Sequence, residues 1–248
     1  MADVNKQTEV RLNELARRAA HTGADAFSRF LEPSDFAAAR LAALDNGVQL
    51  TLDGGFEDAE RCVAGFSYAD RPESFPIRCL KAQWNARYAS CGHRDLLGAM
   101  MGLGLVREAF GDIVVDEDCA YLFVMEEVAD FVRDNLESAG RAKLKLTDVA
   151  VEGLKLPEPK GRQMRVTVPS DRLDCVIAAG YDLSRAEVKK RIQAGDVKRN
   201  HVEELRPDVT VVEGDVLSVR GYGRMKLLSL DGQTRKGRLA MQVFIYGK

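Results

Sequence analysis

Residues 181–200 read YDLSRAEVKKRIQAGDVKRN, a helix signal followed at once by a strand signal. Ser184 and Glu187 stand three apart in the pattern of a capping box, which predicts a helix beginning directly after Ser184. A glycine seven residues beyond Val188 ends that helix. Val188 and Ile192 fall on one helical face and are predicted to seat the helix on a core, so its basic residues face solvent.

The sequence on both sides of this segment extends the pattern. Residues 163–168 favour a strand, and Ser170 is a good N-cap for a helix. The apolar positions within 173–177 recur on one face of that helix, and Gly180 is predicted to end it. Residues 216–220 are strand-like after a Glu-Gly-Asp turn. Two short helices among several strands are therefore predicted.

Charge is distributed unevenly along the 248 residues. Residues 1–161 hold 19 Lys and Arg against 27 Asp and Glu, whereas residues 162–248 hold 17 against 11. The net charge of −2 therefore hides a basic C-terminal part of +6 and an acidic remainder of −8. A basic part suits a polyanion, and the acidic remainder limits that contact to one face.

Four motifs occur together in the basic part. They are Arg172-Leu173-Asp174, Ser184-Arg185-Ala186-Glu187, Ile192-x-x-Gly195-x-Val197-x-x-Asn200 and Gly214-Asp215-x-x-Ser218-Val219-Arg220. As a set they resemble the alpha-L RNA-binding domain first recognised in small-subunit ribosomal protein four. In that family two helices and the following strand hold a helical RNA junction. The resemblance covers residues 165–223 and departs from the family at His201, where glycine is common.

The resemblance implies RNA contacts on both helices and on the strands that follow. The implied contacts are Arg172, Arg185, Lys189, Lys190, Lys198 and Arg220. Their neighbours Ser184, Arg191, Arg199, Asn200 and Arg224 complete the predicted contact set. Cationic side chains neutralise phosphates, and arginine grips them with two parallel hydrogen bonds. We therefore expect rRNA or tRNA as the partner.

A Pro- and Gly-rich linker, residues 156–162, separates the basic part from the acidic remainder. We predict an α+β protein of three small domains. These are an N-terminal α+β domain at 1–75, a ferredoxin-like (RRM-like) domain at 76–155, and the alpha-L RNA-binding domain with C-terminal strands at 163–248. Within the first domain, residues 8–30 favour helix.

The central segment shows the order β-α-β-β-α-β, which RNA-recognition modules share. Its second helix is predicted to end at Gly140. Tyr121 and Phe123 alternate onto one strand face, where they would stack on bases, although two strand aromatics are more often core residues. Arg94 lies near the start of the first helix and has two interpretations. It would bind a phosphate, or this polar segment would only cap the helix.

Further motifs precede the basic part: His93-Arg94-Asp95-Leu96-Leu97-Gly98-Ala99, Gly102-Leu103-Gly104, Arg107-Glu108 and Gly111-Asp112-Ile113. Together with the alpha-L motifs they resemble YlmH-type bacterial proteins over nearly the whole chain. The resemblance implies RNA binding on the large ribosomal subunit, quality control of stalled nascent chains and, for some relatives, a link to cell division. We expect a cytoplasmic, non-catalytic adaptor without cofactors, whose acidic N-terminal domains would dock a protein partner.

The main alternative is an RNA-modifying enzyme. Alpha-L domains often accompany pseudouridine synthases, whose catalytic loop contains an Arg-Leu-Asp triplet. In those enzymes a larger catalytic domain follows the module, and Asp174 here is better explained as a helix-start carboxylate favoured by the helix dipole. A dinucleotide fingerprint fails because Arg107 stands where its third glycine is needed. A cell-division-linked scaffold is a further alternative.

Cysteine spacing and hydropathy argue against other classes. The five cysteines are scattered without C-x-x-C spacing, and Cys91 and His93 have no second ligand pair, so no metal site is predicted. Three scattered histidines offer no catalytic dyad, and no catalytic residue is predicted. No apolar run reaches the about 18 residues that a membrane helix needs, so no membrane partner is expected.

Overall fold

A computed structural model describes residues 2–68, 71–158, 160–234 and 237–247. These residues divide into two compact units, Met1–Pro157 and Glu158–Lys248. Helices and strands contribute to both units, which confirms the predicted α+β class. The predicted division of the first unit into separate domains at residue 75 stays a prediction.

The first part of Met1–Pro157 packs helices against an antiparallel sheet of order β1-β3-β2. Its elements are α1 (Ala2–Thr22), β1 (Ala26–Leu31), α2 (Phe36–Asn46), β2 (Gln49–Asp53) and β3 (Cys62–Ser67). The helix predicted over 8–30 is wrong beyond residue 22. Gly23 adopts a left-handed φ of 69°, and the residues after it form a strand because alternate side chains enter the core.

The second part of this unit has the predicted β-α-β-β-α-β order. Its elements are β4 (Ile77–Gln83), α3 (His93–Gly102), β5 (Phe110–Val115), β6 (Cys119–Met125), α4 (Glu126–Asn135), the hairpin strands β7 (Ser138–Ala139) and β8 (Ala142–Lys143), and β9 (Lys145–Val149). The sheet order is β5-β6-β4-β9, and Leu96, Met100 and Val132 of the helices pack on one face. Helix α4 ends at Asn135, so Gly140 is not its end. Gly140 instead lies between β7 and β8 with a left-handed φ of 57°.

The opposite face of this sheet is buried against the first part of the unit. Phe123 is fully buried, with its ring centroid 4.7 Å from that of Phe56, and Met125 lies in the same cluster. Gly111 allows the buried Phe30 ring to approach β5, because a Cβ at Gly111 would lie 2.5 Å from that ring. The two parts therefore share a hydrophobic core.

A buried arginine also joins the two parts. Arg61, which is 7% exposed, donates to the carbonyl oxygens of Phe110 at 3.0 Å and Phe30 at 3.2 Å, and to the Glu32 carboxylate at 3.0 Å. The Asp112 carboxylate accepts the backbone N–H of Arg61 at 3.4 Å and that of the preceding residue at 2.6 Å. Burial raises the pKa of Asp112. The Gly-Asp-Ile motif of the sequence therefore contributes to packing.

Within its described residues, Glu158–Lys248 folds around a six-stranded antiparallel sheet of order β10-β15-β14-β13-β11-β12. Its elements are β10 (Gly161–Val168), α5 (Leu173–Tyr181), α6 (Arg185–Gln193), β11 (Val197–Arg199), β12 (Val202–Glu203), β13 (Val216–Val219), β14 (Gly223–Gln233) and β15 (Leu239–Tyr246). Both helices contribute to its core, α5 through Val176 and Ile177 and α6 through Val188 and Ile192.

Helix α5 differs from its prediction at both ends. It begins at Leu173 rather than directly after Ser170, whose hydroxyl oxygen lies 3.5 Å from the Cys175 sulfur. Gly180 lies within the helix and does not end it. A Cβ added at Gly180 would lie 2.4 Å from the Met225 sulfur. The C-cap is Asp182, with a left-handed φ of 55°. Glycine at 180 is therefore explained by close packing.

Candidate nucleic-acid interface

Three cationic side chains of Glu158–Lys248 surround one buried carboxylate. Asp174, whose side chain is 0% exposed, accepts from Arg185 at 2.7 Å and from Arg172 at 3.2 Å. Lys189 Nζ lies 3.9 Å from the same carboxylate. The three cationic side chains are between 37% and 48% exposed. We call these four residues the Asp174 cluster, and it presents a net positive charge to solvent.

The pKa of Asp174 reflects two opposing effects, burial and hydrogen bonding. Burial by itself raises this pKa, but hydrogen bonds from Arg185, Cys175 and Arg172 outweigh burial and hold it below the ordinary 3.8. The hydrogen bond that Arg185 donates to Asp174 raises the pKa of Arg185 in return. The ionised carboxylate therefore orients three cations while neutralising only one charge.

The remaining basic residues of α6 differ in their surroundings. Lys190 is exposed, whereas Arg191 binds Glu187 Oε1 at 3.1 Å and lies 4.8 Å from the centroid of the Tyr222 ring. Ser184 caps the helix as predicted, because its Oγ accepts the backbone N–H of Glu187 at 3.2 Å. Arg191 therefore stabilises the fold of this unit, and Lys190 faces solvent.

A second buried aspartate fixes the turn between β11 and β12. Asp215, 3% exposed, accepts from Arg199 and from Asn200, each at 2.7 Å. Asn200 Oδ1 accepts the backbone N–H of Val216 at 2.9 Å. Asn200 and His201 have φ values of 49° and 68°, the left-handed pair that a two-residue type I′ turn requires. Arg199 and Asn200 thus hold this turn, and their contact with RNA stays a prediction.

The other predicted contacts lie on the strands that follow α6. Lys198 on β11 is exposed. Arg220 is 85% exposed and lies 3.6 Å from Asp196, while Arg224 lies over the Tyr246 ring at 4.9 Å from its centroid. Six of the predicted cationic contacts have side chains that are more than a third exposed or lie in exposed residues: Arg172, Arg185, Lys189, Lys190, Lys198 and Arg220.

The secondary contacts predicted in the first unit have different outcomes. Phe123 is wrong as a base-stacking residue, because its fully buried ring packs in the core between the two parts of that unit. Tyr121 is half-buried, with Lys81 Nζ 5.6 Å from its ring centroid. Arg94 is exposed at the start of α3, where Asp95 caps the helix by accepting the N-cap backbone N–H at 3.0 Å. Contact of Tyr121 or Arg94 with RNA stays a prediction.

In the part of the chain that the structure describes, no group of three or more His, Cys, Asp and Glu side chains is placed to hold a metal ion. None of the helices within those ranges is both long and apolar enough to cross a membrane. Burial raises the pKa of the Cys62 and Cys79 thiols to about 12.

Known proteins resemble this chain over most of its length. A Bacillus subtilis (strain 168) relative named "Ribosome-associated protein quality control protein P2" is 35% identical over 212 residues, covering 84% of this chain and 82% of the relative. A family model described as "Putative RNA-binding domain in YlmH" matches residues 71–153. The chain belongs to the YlmH family. This YlmH assignment confirms the family predicted from the sequence motifs.

A solved YlmH structure shares the fold. "Cell division protein ylmH from Streptococcus pneumoniae" superposes with a TM-score of 0.50 at 21% identity, over 58% of this chain and 90% of that chain. In this YlmH-family chain, the residues matched by the family model lie entirely within the first unit. The Asp174 cluster lies outside them, and its assignment to an alpha-L domain stays a prediction.

Proposed function

We propose that this YlmH-family chain is a non-catalytic adaptor that binds structured RNA through Glu158–Lys248, with the Asp174 cluster at the centre of the contact. The observation that carries the proposal is the arrangement of Arg172, Arg185 and Lys189 around one buried carboxylate. Their positions are set before a ligand arrives, so phosphate binding immobilises less side-chain freedom. Each arginine also has further N–H donors beyond those directed at Asp174.

The target that we propose is rRNA or tRNA on the large ribosomal subunit, during quality control of stalled nascent chains in the cytoplasm. The name of the 35% identical relative, which states ribosome association and quality control, supports this target. The RNA-binding description of the matching family model supports it as well. We assign residues 163–248 to the alpha-L type and propose that the acidic first unit docks a protein partner.

The surroundings of Asp174 favour an adaptor over an RNA-modifying enzyme. Its carboxylate is buried and both oxygens accept hydrogen bonds from arginine, an arrangement that suits positioning of cations. Incubation with bulk tRNA and rRNA, followed by mass spectrometry of the nucleosides, tests this choice. We expect no new modification, and one that is lost in Asp174→Ala would overturn the adaptor.

Salt dependence tests the proposed contact directly. We take five of the predicted contacts as the phosphate-binding set, namely the three cations of the Asp174 cluster with Lys190 and Lys198. If each meets a phosphate, log affinity falls against log salt with a slope of about −4 to −5, taking about −0.9 per contact as for duplex DNA. Fluorescence anisotropy with labelled tRNA measures this slope, and affinity indifferent to salt would contradict the proposal.

Two charge-reversed variants distinguish the contribution of the Asp174 cluster to RNA affinity from that of the net charge of the unit. Arg185→Glu with Lys189→Glu is expected to weaken binding at least about tenfold and to reduce the slope by about 2. The matched control is Arg162→Glu with Arg165→Glu on β10, which makes the same charge change at exposed positions outside the cluster. Equal losses in both variants would show that net charge, and not the cluster, governs affinity.

Co-sedimentation with separated ribosomal subunits tests the proposed target. We expect the protein to sediment with the large subunit, and crosslinking then identifies the contacted RNA. The Arg185→Glu, Lys189→Glu variant should lose this association, because it reverses two of the three cations of the Asp174 cluster. Sedimentation with the small subunit alone would contradict the proposed place of action.

A further inference from the structure

We propose that the first unit carries a second nucleic-acid site, a basic cavity that takes an unpaired nucleotide of single-stranded RNA. The cavity lies at one end of the β5-β6-β4-β9 sheet and has a volume of about 640 Å³. It is lined by Trp84 and Arg87 after β4, by Asp118 before β6, and by Lys143 and Lys145 at the junction of β8 and β9. It is a shallow depression that is open to solvent, so a nucleotide held there stays continuous with the rest of its strand.

An unsatisfied donor marks this cavity. Trp84 lines it with only 8% of its surface exposed, yet its indole N–H has no acceptor among the described residues. A buried donor without a partner loses the hydrogen bond that it would make to water, and such groups are rare in folded proteins. The indole nitrogen itself is buried, so an acceptor atom of a bound ligand reaches it only when neighbouring side chains of the cavity move aside.

The charge of the cavity differs from that of its surroundings. Arg87, Lys143 and Lys145 are exposed and outnumber the single lining carboxylate of Asp118. The unit around them is acidic, with 26 Asp and Glu against 18 Lys and Arg in residues 1–157. The backbone N–H of Trp84 donates to the Asp118 carbonyl at 3.0 Å, which ties the two sides of the cavity together. A local cationic site in an acidic unit fits a phosphate group.

An exposed aromatic ring lies in the same loop. Tyr88 follows Arg87 and is 87% exposed, and its backbone N–H donates to the Asn85 carbonyl at 3.0 Å. Aromatic rings beside cationic side chains are the usual means of holding single-stranded nucleic acid, because every base has a face that stacks. The sheet face of this domain is closed by the core around Phe123. The end of the sheet therefore remains as the place where a base and its phosphate fit.

Trp84 supplies its own assay, because it is the single tryptophan of the chain. Its emission is followed while octauridine is added to the Arg185→Glu, Lys189→Glu protein, in which the Asp174 cluster is disabled. We expect a saturable change whose affinity falls with salt at a slope of about −2, from three cations at about −0.7 each for single strands.

Variants of the cavity test the assignment. Lys143→Glu with Lys145→Glu is expected to weaken octauridine binding at least about tenfold. The matched control, Arg17→Glu with Arg18→Glu, reverses two exposed charges on α1 of the same unit and should leave affinity unchanged. Tyr88→Ala is expected to weaken binding about five- to hundredfold, and its exposed position keeps the test valid if the lysine variant is unstable.

Several results would overturn the site. These are an unchanged Trp84 emission, or equal affinities in the lysine variant and in the α1 control. A duplex of the same length that binds as tightly as octauridine would contradict the single-stranded ligand. Polyglutamate that competes as well as octauridine would show an acidic protein segment as the ligand instead. None of these readouts depends on the Asp174 cluster, so this inference and the proposed function fail separately.

Discussion

Replacing Asp174 with asparagine removes the central charge of the Asp174 cluster and keeps the shape of the side chain. The carboxylate accepts from Arg185 at 2.7 Å and from Arg172 at 3.2 Å. A hydrogen bond to a charged group contributes about 1.5–3 kcal/mol. Because both arginines are partly hydrated and screened, we take the lower part of that range and expect Asp174→Asn to cost about 2 kcal/mol.

Hydrogen exchange of the α5 amides measures this loss in the unit that contains it. A loss of about 2 kcal/mol speeds exchange of residues 173–181 about thirtyfold, since about 1.4 kcal/mol corresponds to tenfold. Asp182→Asn makes the same chemical change at the other end of α5, where the side chain is exposed, and should not speed exchange. The urea midpoint followed by Trp84 emission should not move, because Trp84 belongs to the other unit.

The pH dependence of the same comparison has a defined sign. The folded pKa of Asp174 lies below 3.8, so its stabilisation is complete above the unfolded pKa and is lost as the pH falls through the folded pKa. The thirtyfold difference between the wild-type chain and Asp174→Asn should therefore shrink towards one in acid. A difference that persists there, or that is absent at pH 7, would refute the assigned role.

The RNA affinity of this variant separates orientation from charge. Asp174→Asn makes the unit one charge more positive, so binding governed by charge alone would become tighter. If Asp174 orients Arg172 and Arg185 for phosphate, binding becomes weaker despite the added charge. Anisotropy with labelled tRNA at fixed salt distinguishes the two, and tighter binding would contradict a positioning role for Asp174.

Three further predictions follow from close packing, burial and the turn after β11. Gly111→Ala should lower the urea midpoint seen by tryptophan emission, at a cost of about 1–3 kcal/mol, because the added Cβ meets a buried ring. Gly98→Ala is its control and should stabilise by about 0.5–1 kcal/mol, since nothing lies within 4 Å of the new Cβ. Cys62 and Cys79, with pKa values of about 12, should resist iodoacetamide at pH 8 in the folded protein and react after unfolding; equal rates would contradict their burial. His201→Val should cost about 1 kcal/mol or more and speed amide exchange in residues 197–203, because a β-branched residue disfavours a φ of 68°; unchanged exchange would argue against that conformation.

Local patterns predicted the elements that depend on local physics. The start of α6 follows from Ser184 and its capping hydrogen bond, and the order of the central elements follows from periodicity. Residues 26–30 were expected to be helical, since nothing local distinguishes them from the preceding helix apart from Gly23. Their burial against a sheet made them a strand, which is an effect of tertiary packing.

At the candidate sites, too, local patterns predicted what lies along one element and missed what depends on tertiary packing. Arg185 and Lys189 were placed together correctly because residues four apart share a helix face. The sequence places Asp174 only at a helix start, because its burial and its three cationic neighbours depend on how α5 and α6 pack. For Phe123 the sequence left a base-stacking face and a core position open, since strand alternation does not tell which face is covered. Trp84 resembles any core aromatic until the absence of an acceptor is seen in three dimensions.

The core shared by the two parts of the first unit has a practical consequence for cutting the chain. The segment matched by the family model, residues 71–153, omits β1 and β3, which supply Phe30 and Val63 to that core. Expressed alone, the segment would carry Phe123 and Met125 on a bare sheet face, and bare apolar surface of this kind promotes aggregation. An expression fragment intended to isolate the first unit should therefore span residues 1–157, even though the family match suggests a shorter one.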